Sequence, residues 1–240
     1  MNPDVERQTV PGGFPSRMTR RETVCAAVYL PVHIVVIPLL LGLPAFARLF
    51  ELGEGAVNAV YYGVGAAFML IALFGFLRRD FDVFLDRPFK NILNILTGYA
   101  VSFALSWGLS LIMLSLGLML EESPNDEAVM SIAALDYNKI FAASVLLAPL
   151  VEEPLFRGLL FGGLRGRGRG MAYAVSMLVF ALYHVWQYAV LDPSYLIYII
   201  TYLPVSYALC LCYERSGTIW APIGLHMLNN AISLSVLSML

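Results

Sequence analysis

Apolar residues in this chain fall into runs of about twenty or more, separated by short polar stretches, and each such run is long enough to cross a bilayer as a helix. The runs cover roughly 24–46, 56–77, 92–119, 139–164, 171–190, 195–213 and 216–239. The pattern predicts an all-α fold, a polytopic transmembrane helical bundle of about seven spans. The fourth run carries charges, and the sixth is short with Pro204 inside it. Prolines within spans, here Pro31, Pro38, Pro149, Pro154, Pro204 and Pro222, mark kinks supported by neighbouring helices. Residues 1–22 read as a polar tail and 23–240 as a single transmembrane domain. The first run, Val24 to Phe46, exceeds the apolar part of a signal peptide and has no small-x-small cleavage site. The acidic stretch 121–138 reads as an outer loop with room for a short helix.

Composition supports lipid as the surrounding solvent: 59% of the residues are hydrophobic and only 13% are charged, about half the charged share of a soluble domain. Charge placement then orients the bundle. Of the 15 basic residues, twelve fall on one side when the spans alternate: Arg7, Arg17, Arg20 and Arg21; Arg78, Arg79, Arg87 and Lys90; Arg165, Arg167 and Arg169; and Arg215. The opposite loops hold only Arg48 and Lys139, beside Glu51, Glu54, Glu121, Glu122, Asp126, Glu127, Asp136 and Asp192. Basic residues concentrate on the cytoplasmic side, so the N-terminus and its tail are expected there. No basic face large enough for nucleic acid exists. Cys25, Cys210 and Cys212 lie in apolar runs without zinc-type spacing and read as small buried hydrophobes.

Ionisable side chains inside a span are costly, so each is a functional suspect. They are His33, Glu152, Glu153, Arg157, His184 and His226, joined by the amide Asn230. Measured from the cytoplasmic end of each span at about 1.5 Å per residue, Glu152, His184 and His226 lie roughly 18, 20 and 15 Å deep. Three helices thus bring polar groups to one level, as a shared wet chamber requires. Glu153 and Arg157 are i,i+4 and can pair on one face. Glu152 points about 100° away from Glu153 around the helix. Phe180 can pack on His184 by the same i,i+4 spacing, and His226 shares a face with Asn230. His33 stands apart, with no partner motif, and reads as a satisfied or interface-facing histidine. The tyrosines Tyr195, Tyr198, Tyr202 and Tyr207 read as packing and interfacial belt, or at most as the lining of a substrate groove.

Two chemistries suit this set. An unpaired Glu beside a His can hold and deprotonate a water, with a second His and an Asn donating to the oxyanion. Alternatively Glu152, His184 and His226 could bind Zn²⁺ with an open position, which also activates water. Both routes end in peptide hydrolysis without a covalent intermediate.

Three segments carry a resemblance. Glu152-Glu153-Pro154-Leu155-Phe156-Arg157 is similar to the EExxxR motif of the CPBP family of intramembrane proteases, which includes the eukaryotic Ras-converting CAAX endopeptidase and bacteriocin-processing enzymes. Phe180-Ala181-Leu182-Tyr183-His184 resembles its FxxxH motif, and His226-Met227-Leu228-Asn229-Asn230 its HxxxN motif. The resemblance spans about 139–235 and makes that stretch the expected catalytic core. It implies an intramembrane endopeptidase with Glu152 as the water-activating base, His184 positioning the water, and His226 and Asn230 at the oxyanion. Glu153, Arg157 and Phe180 would bind substrate or shape the site. The metal-free version is favoured, because a His and an Asn at i,i+4 suit an oxyanion hole better than a metal shell. The implied partner is a peptide or membrane-anchored protein, in a bacterial plasma membrane, with the active site reached from the cytoplasmic side. Two other readings compete. A non-catalytic immunity or scaffold protein would bind a peptide in the same chamber, and an ion or proton carrier would use Glu152, His184 and His226 as a relay.

Overall fold

The computed structural model describes residues 14–46, 51, 53–118 and 122–237. Arg7, Arg48 and Glu121 lie outside them. Every regular element among the described residues is a helix. Five helices are long and apolar enough to cross a membrane: α1 (Arg20–Leu41), α2 (Glu54–Ala72), α4 (Pro88–Ser115), α7 (Arg169–Leu191) and α8 (Pro193–Ser216). The expected second span ends earlier than the sequence suggests. Leu73 leaves helical geometry (φ −109°, ψ 16°), and a separate helix α3 (Phe74–Asp86) follows.

The fourth and seventh expected spans are helical but do not meet both criteria, so among the described residues five rather than seven helices do. The stretch Pro124–Phe141 breaks at Asp136 (φ −150°, ψ 75°). The part before the break is α5, and the helical run from there to residue 164 is α6. α5 is the short helix the acidic loop has room for. Ser123 caps it by accepting from the Asp126 N–H at 3.2 Å, with Pro124 in the first turn. The Asp136 carboxylate accepts from the Lys139 N–H at 3.2 Å and caps α6 in the same way. α6 takes wide π-helical turns over Ala142–Leu147 and again over Pro154–Phe161. Pro154 has no N–H with which to close an ordinary turn, and such turns frequently sit at functional sites. The last helix, α9 (Trp220–Leu237), carries His226, Asn229 and Asn230, which lower its apolarity.

α4 packs along α8 and α9, α7 packs along α8, and α2 lies against α5 and α6. Two of these approaches depend on glycine. A Cβ on Gly65 would lie 2.9 Å from Val151, and one on Gly98 would lie 2.6 Å from Leu225. Helices without a hydrophobic drive between them associate closely at such small residues.

The end of the bundle that carries the basic loops is closed. The Ser16 hydroxyl donates to Asp80 Oδ2 at 2.5 Å and meets the Tyr213 hydroxyl at 2.6 Å. The Ile219 N–H donates to the same Asp80 oxygen at 2.7 Å, and Thr218 Oγ1 donates to the Asp80 carbonyl at 2.7 Å. Phe14 sits edge-on against Phe161 and Tyr213. Burial raises the Asp80 carboxyl to about 6, against the pull of its Ser16 and Ile219 donors. Nearby, Thr19 and Glu22 form a reciprocal cap at the start of α1, and Arg79 holds Glu22 through two bonds of 2.7 and 3.1 Å. Residues 14–19, the end of the expected polar tail, are therefore docked against α3, α6 and α8.

Candidate active site

α6 delivers two adjacent carboxylates, and the wide turns around them set their directions. Glu153 and Arg157 are both fully buried and pair at 3.1 Å, as the i,i+4 spacing predicts. Arg157 goes further. Its guanidinium donates to the Ser206 hydroxyl at 2.9 Å and to the Ser206 carbonyl at 3.2 Å, and lies over the Phe180 ring at 4.3 Å. A buried cation is thus held by a carboxylate, a helix carbonyl and a π face.

The i,i+4 spacing predicts only the pairing with Arg157. The structure adds a bond across helices: His226 Nδ1 lies 2.8 Å from Glu153 Oε1. A carboxylate accepts, so Nδ1 carries the proton. That contact turns Nε2 toward the second carboxylate, 3.9 Å from Glu152 Oε2. The gap is too long for a direct hydrogen bond, and one water can touch both atoms. Glu152 Oε2 is buried and has no hydrogen-bond partner among the described residues.

His184 is fixed by its neighbours. Its Nδ1 lies 2.8 Å from the Phe180 carbonyl, which can only accept, so Nδ1 donates and Nε2 keeps its lone pair. The ring packs on Phe180 at 4.5 Å and stacks on Tyr202 at 4.5 Å. Tyr202 in turn bonds to Ser123 Oγ at 2.6 Å and donates to Asp126 at 3.3 Å. Asn230 donates from Nδ2 to the Ser144 carbonyl at 2.9 Å, within the first wide turn of α6. One of its two N–H bonds is thereby committed, and one is left for a ligand.

The other oxygen of Glu152 leads to residues the sequence reading did not assemble. The Tyr62 hydroxyl donates to Glu152 Oε1 at 3.1 Å and contacts the Tyr183 hydroxyl at 3.2 Å. Tyr183 contacts the Tyr61 hydroxyl at 3.0 Å, and Tyr61 lies 3.0 Å from His33 Nε2. His33 is fully buried and stacked on Tyr61 at 4.5 Å. Its Nε2 has hydrogen-bond partners, whereas Nδ1 is buried without one among the described residues, and a chain of three tyrosine hydroxyls joins the ring to Glu152. The only signal in the sequence was the Tyr61-Tyr62 pair inside a span and Tyr183 beside His184.

Glu152, Phe180, His184, His226 and Asn230 line one cavity of about 1050 Å³. Of the belt tyrosines only Tyr202 is among its lining residues. The cavity does not run to the basic loops. Its walls are the other ends of the helices, with Glu54, Glu122 and Asp126 among them. Access is expected from the side of the basic loops; the Phe14, Ser16 and Asp80 packing occupies that end, and the void lies at the acidic end. Among the described residues no three His, Cys, Asp or Glu side chains gather as a group that could hold a metal ion, Glu152, His184 and His226 included.

Residues 136–232 match the family described as type II CAAX prenyl endopeptidase Rce1-like. None of the curated proteins and none of the solved structures matches the chain.

Proposed function

We infer the function of this chain from the match of residues 136–232 to the type II CAAX prenyl endopeptidase Rce1-like family, which points to an intramembrane protease. The protein is an integral membrane peptide hydrolase that cleaves a membrane-associated peptide or protein with a water activated by Glu152. The observation that carries the reading is the 3.9 Å gap between Glu152 Oε2 and His226 Nε2 at the floor of the cavity.

A water in that gap gives its proton to Glu152 as its oxygen attacks the scissile carbonyl carbon. The proton then passes from Glu152 to the leaving amine as the C–N bond breaks. The second proton of the water stays on the new carboxylic acid. His184 offers its Nε2 lone pair to orient the water. For His226 to donate from Nε2 to the oxyanion it must carry protons on both nitrogens, with Nδ1 held by Glu153. Asn230 adds its free N–H to the oxyanion. No metal enters this scheme. A positioned general base contributes about 10²- to 10⁴-fold in rate, and oxyanion donors about 10²- to 10³-fold each.

The test is digestion of a peptide library by detergent-purified protein, with and without a chelator. Cleavage that persists in chelator supports the scheme. Cleavage that disappears in chelator and returns with zinc removes the metal-free version. No cleavage of any peptide, with tight binding of one, would favour the non-catalytic immunity or scaffold reading.

A further inference from the structure

The void that ends on Glu152 is built from one half of the bundle only. Its walls come from the last turn of α1, the first turns of α2, the α5 segment, and the far ends of α7 and α9. These ends carry the acidic loops, while the basic loops and the Phe14–Asp80 packing occupy the other end. Glu54, Glu122 and Asp126 line the void, and its described lining includes no Lys or Arg. Among the described residues none of these three acids forms an ion pair. At the floor Glu152 is 2% exposed, and its Oε2 is an acceptor without a donor among the described residues.

We propose that the chamber is entered from the extracytoplasmic side and that it takes a peptide segment carrying positive charge. The proposal names the substrate class of the peptidase read above and rests on that reading only for what happens to the peptide. Basic loops mark the cytoplasmic side, so a void at the opposite end faces outward. Unpaired carboxylates around a narrow, low-dielectric funnel concentrate cations and repel anions before any contact forms. Lys or Arg side chains of a substrate supply the charges that Glu54, Glu122 and Asp126 lack. An anionic segment meets the like charge of Glu54, Glu122 and Asp126 on its way to Glu152.

Cysteine labelling tests both parts. Asn125→Cys places a thiol at the acidic end of the void, and Arg167→Cys places one in the basic loop. In cells producing either variant, a membrane-impermeant maleimide labels Asn125→Cys directly and Arg167→Cys only after permeabilisation, with the unsubstituted chain as the background. The reverse pattern overturns the outward opening. For charge, Asn125→Cys is labelled in phosphatidylcholine nanodiscs with a lysine-rich or a glutamate-rich peptide of equal length. The lysine-rich peptide slows labelling by about tenfold or more, and Glu54→Gln, Glu122→Gln and Asp126→Asn together remove the protection. Equal protection by both peptides, or by neither, overturns the charge preference. None of these readouts needs hydrolysis. Their failure leaves the peptidase reading standing, and a chain that cleaves nothing leaves the labelling results intact.

Discussion

His226 presents Nε2 to Glu152 at 3.9 Å because its other nitrogen is tied to Glu153 at 2.8 Å. The two adjacent glutamates therefore do different work. Glu153 lies inside a fixed network with Arg157, Ser206 and His226, whereas Glu152 accepts one hydrogen bond among the described residues, from Tyr62, and lines the cavity.

That division predicts different variant behaviour. Glu153→Gln leaves Arg157 buried without its carboxylate and weakens the hold on His226. Breaking a buried pair by removing one partner costs roughly 3–5 kcal/mol. Thermal unfolding in detergent should show that loss, together with loss of cleavage. A Glu153→Gln protein that melts and cleaves like the wild type would contradict the network.

The tyrosine chain gives a subtler test. Tyr62→Phe removes the one hydrogen bond to Glu152 and leaves the ring in place. A hydrogen bond to a charged group is worth about 1.5–3 kcal/mol, so kcat should fall by about tenfold to a hundredfold with KM nearly unchanged. Tyr61→Phe, which does not touch Glu152, should do less. Steady-state kinetics on one cleaved peptide separates the two, and equal effects would mean that the tyrosines act only by packing.

Much of the site was legible because charges in lipid stand out against an apolar background. Glu152, Glu153, Arg157, His184 and His226 could be found from their placement alone, and the Glu153–Arg157 pair from its spacing. What spacing cannot show is contact between helices. The Glu153–His226 bond and the route from Glu152 to His33 depend on how α1, α2, α6, α7 and α9 pack. Tyrosine is also common at membrane interfaces, so Tyr61, Tyr62 and Tyr183 carried no distinct signal. α3 was hidden for a related reason: the break at Leu73 falls within an apolar run, where hydropathy is blind to geometry. Loop charges gave a topology, but not which half of the bundle is hollow.

The Asp80 cap responds to pH. Its carboxyl is raised from the usual 3.8 to about 6 by burial, so the folded cap holds a proton that the undocked chain gives up. Its contribution is full below pH 4, falls as pH rises, and is gone above about pH 6, at most about 3 kcal/mol in all. Between pH 5 and 7 the docked segment should open about tenfold more readily. Tryptic nicking after Arg17, compared at each pH with Asp80→Asn, measures it. The variant should be flat across that range, and equal pH dependence in both proteins would contradict the assignment.

The most direct test of the central claim is the rate of peptide cleavage by Glu152→Gln beside its melting curve. The amide fills the same space and can still accept from Tyr62, but it cannot take a proton from water. The melting temperature should be unchanged and the rate lower by about a thousandfold. A well-folded Glu152→Gln protein that cleaves at the wild-type rate would show that some other group activates the water.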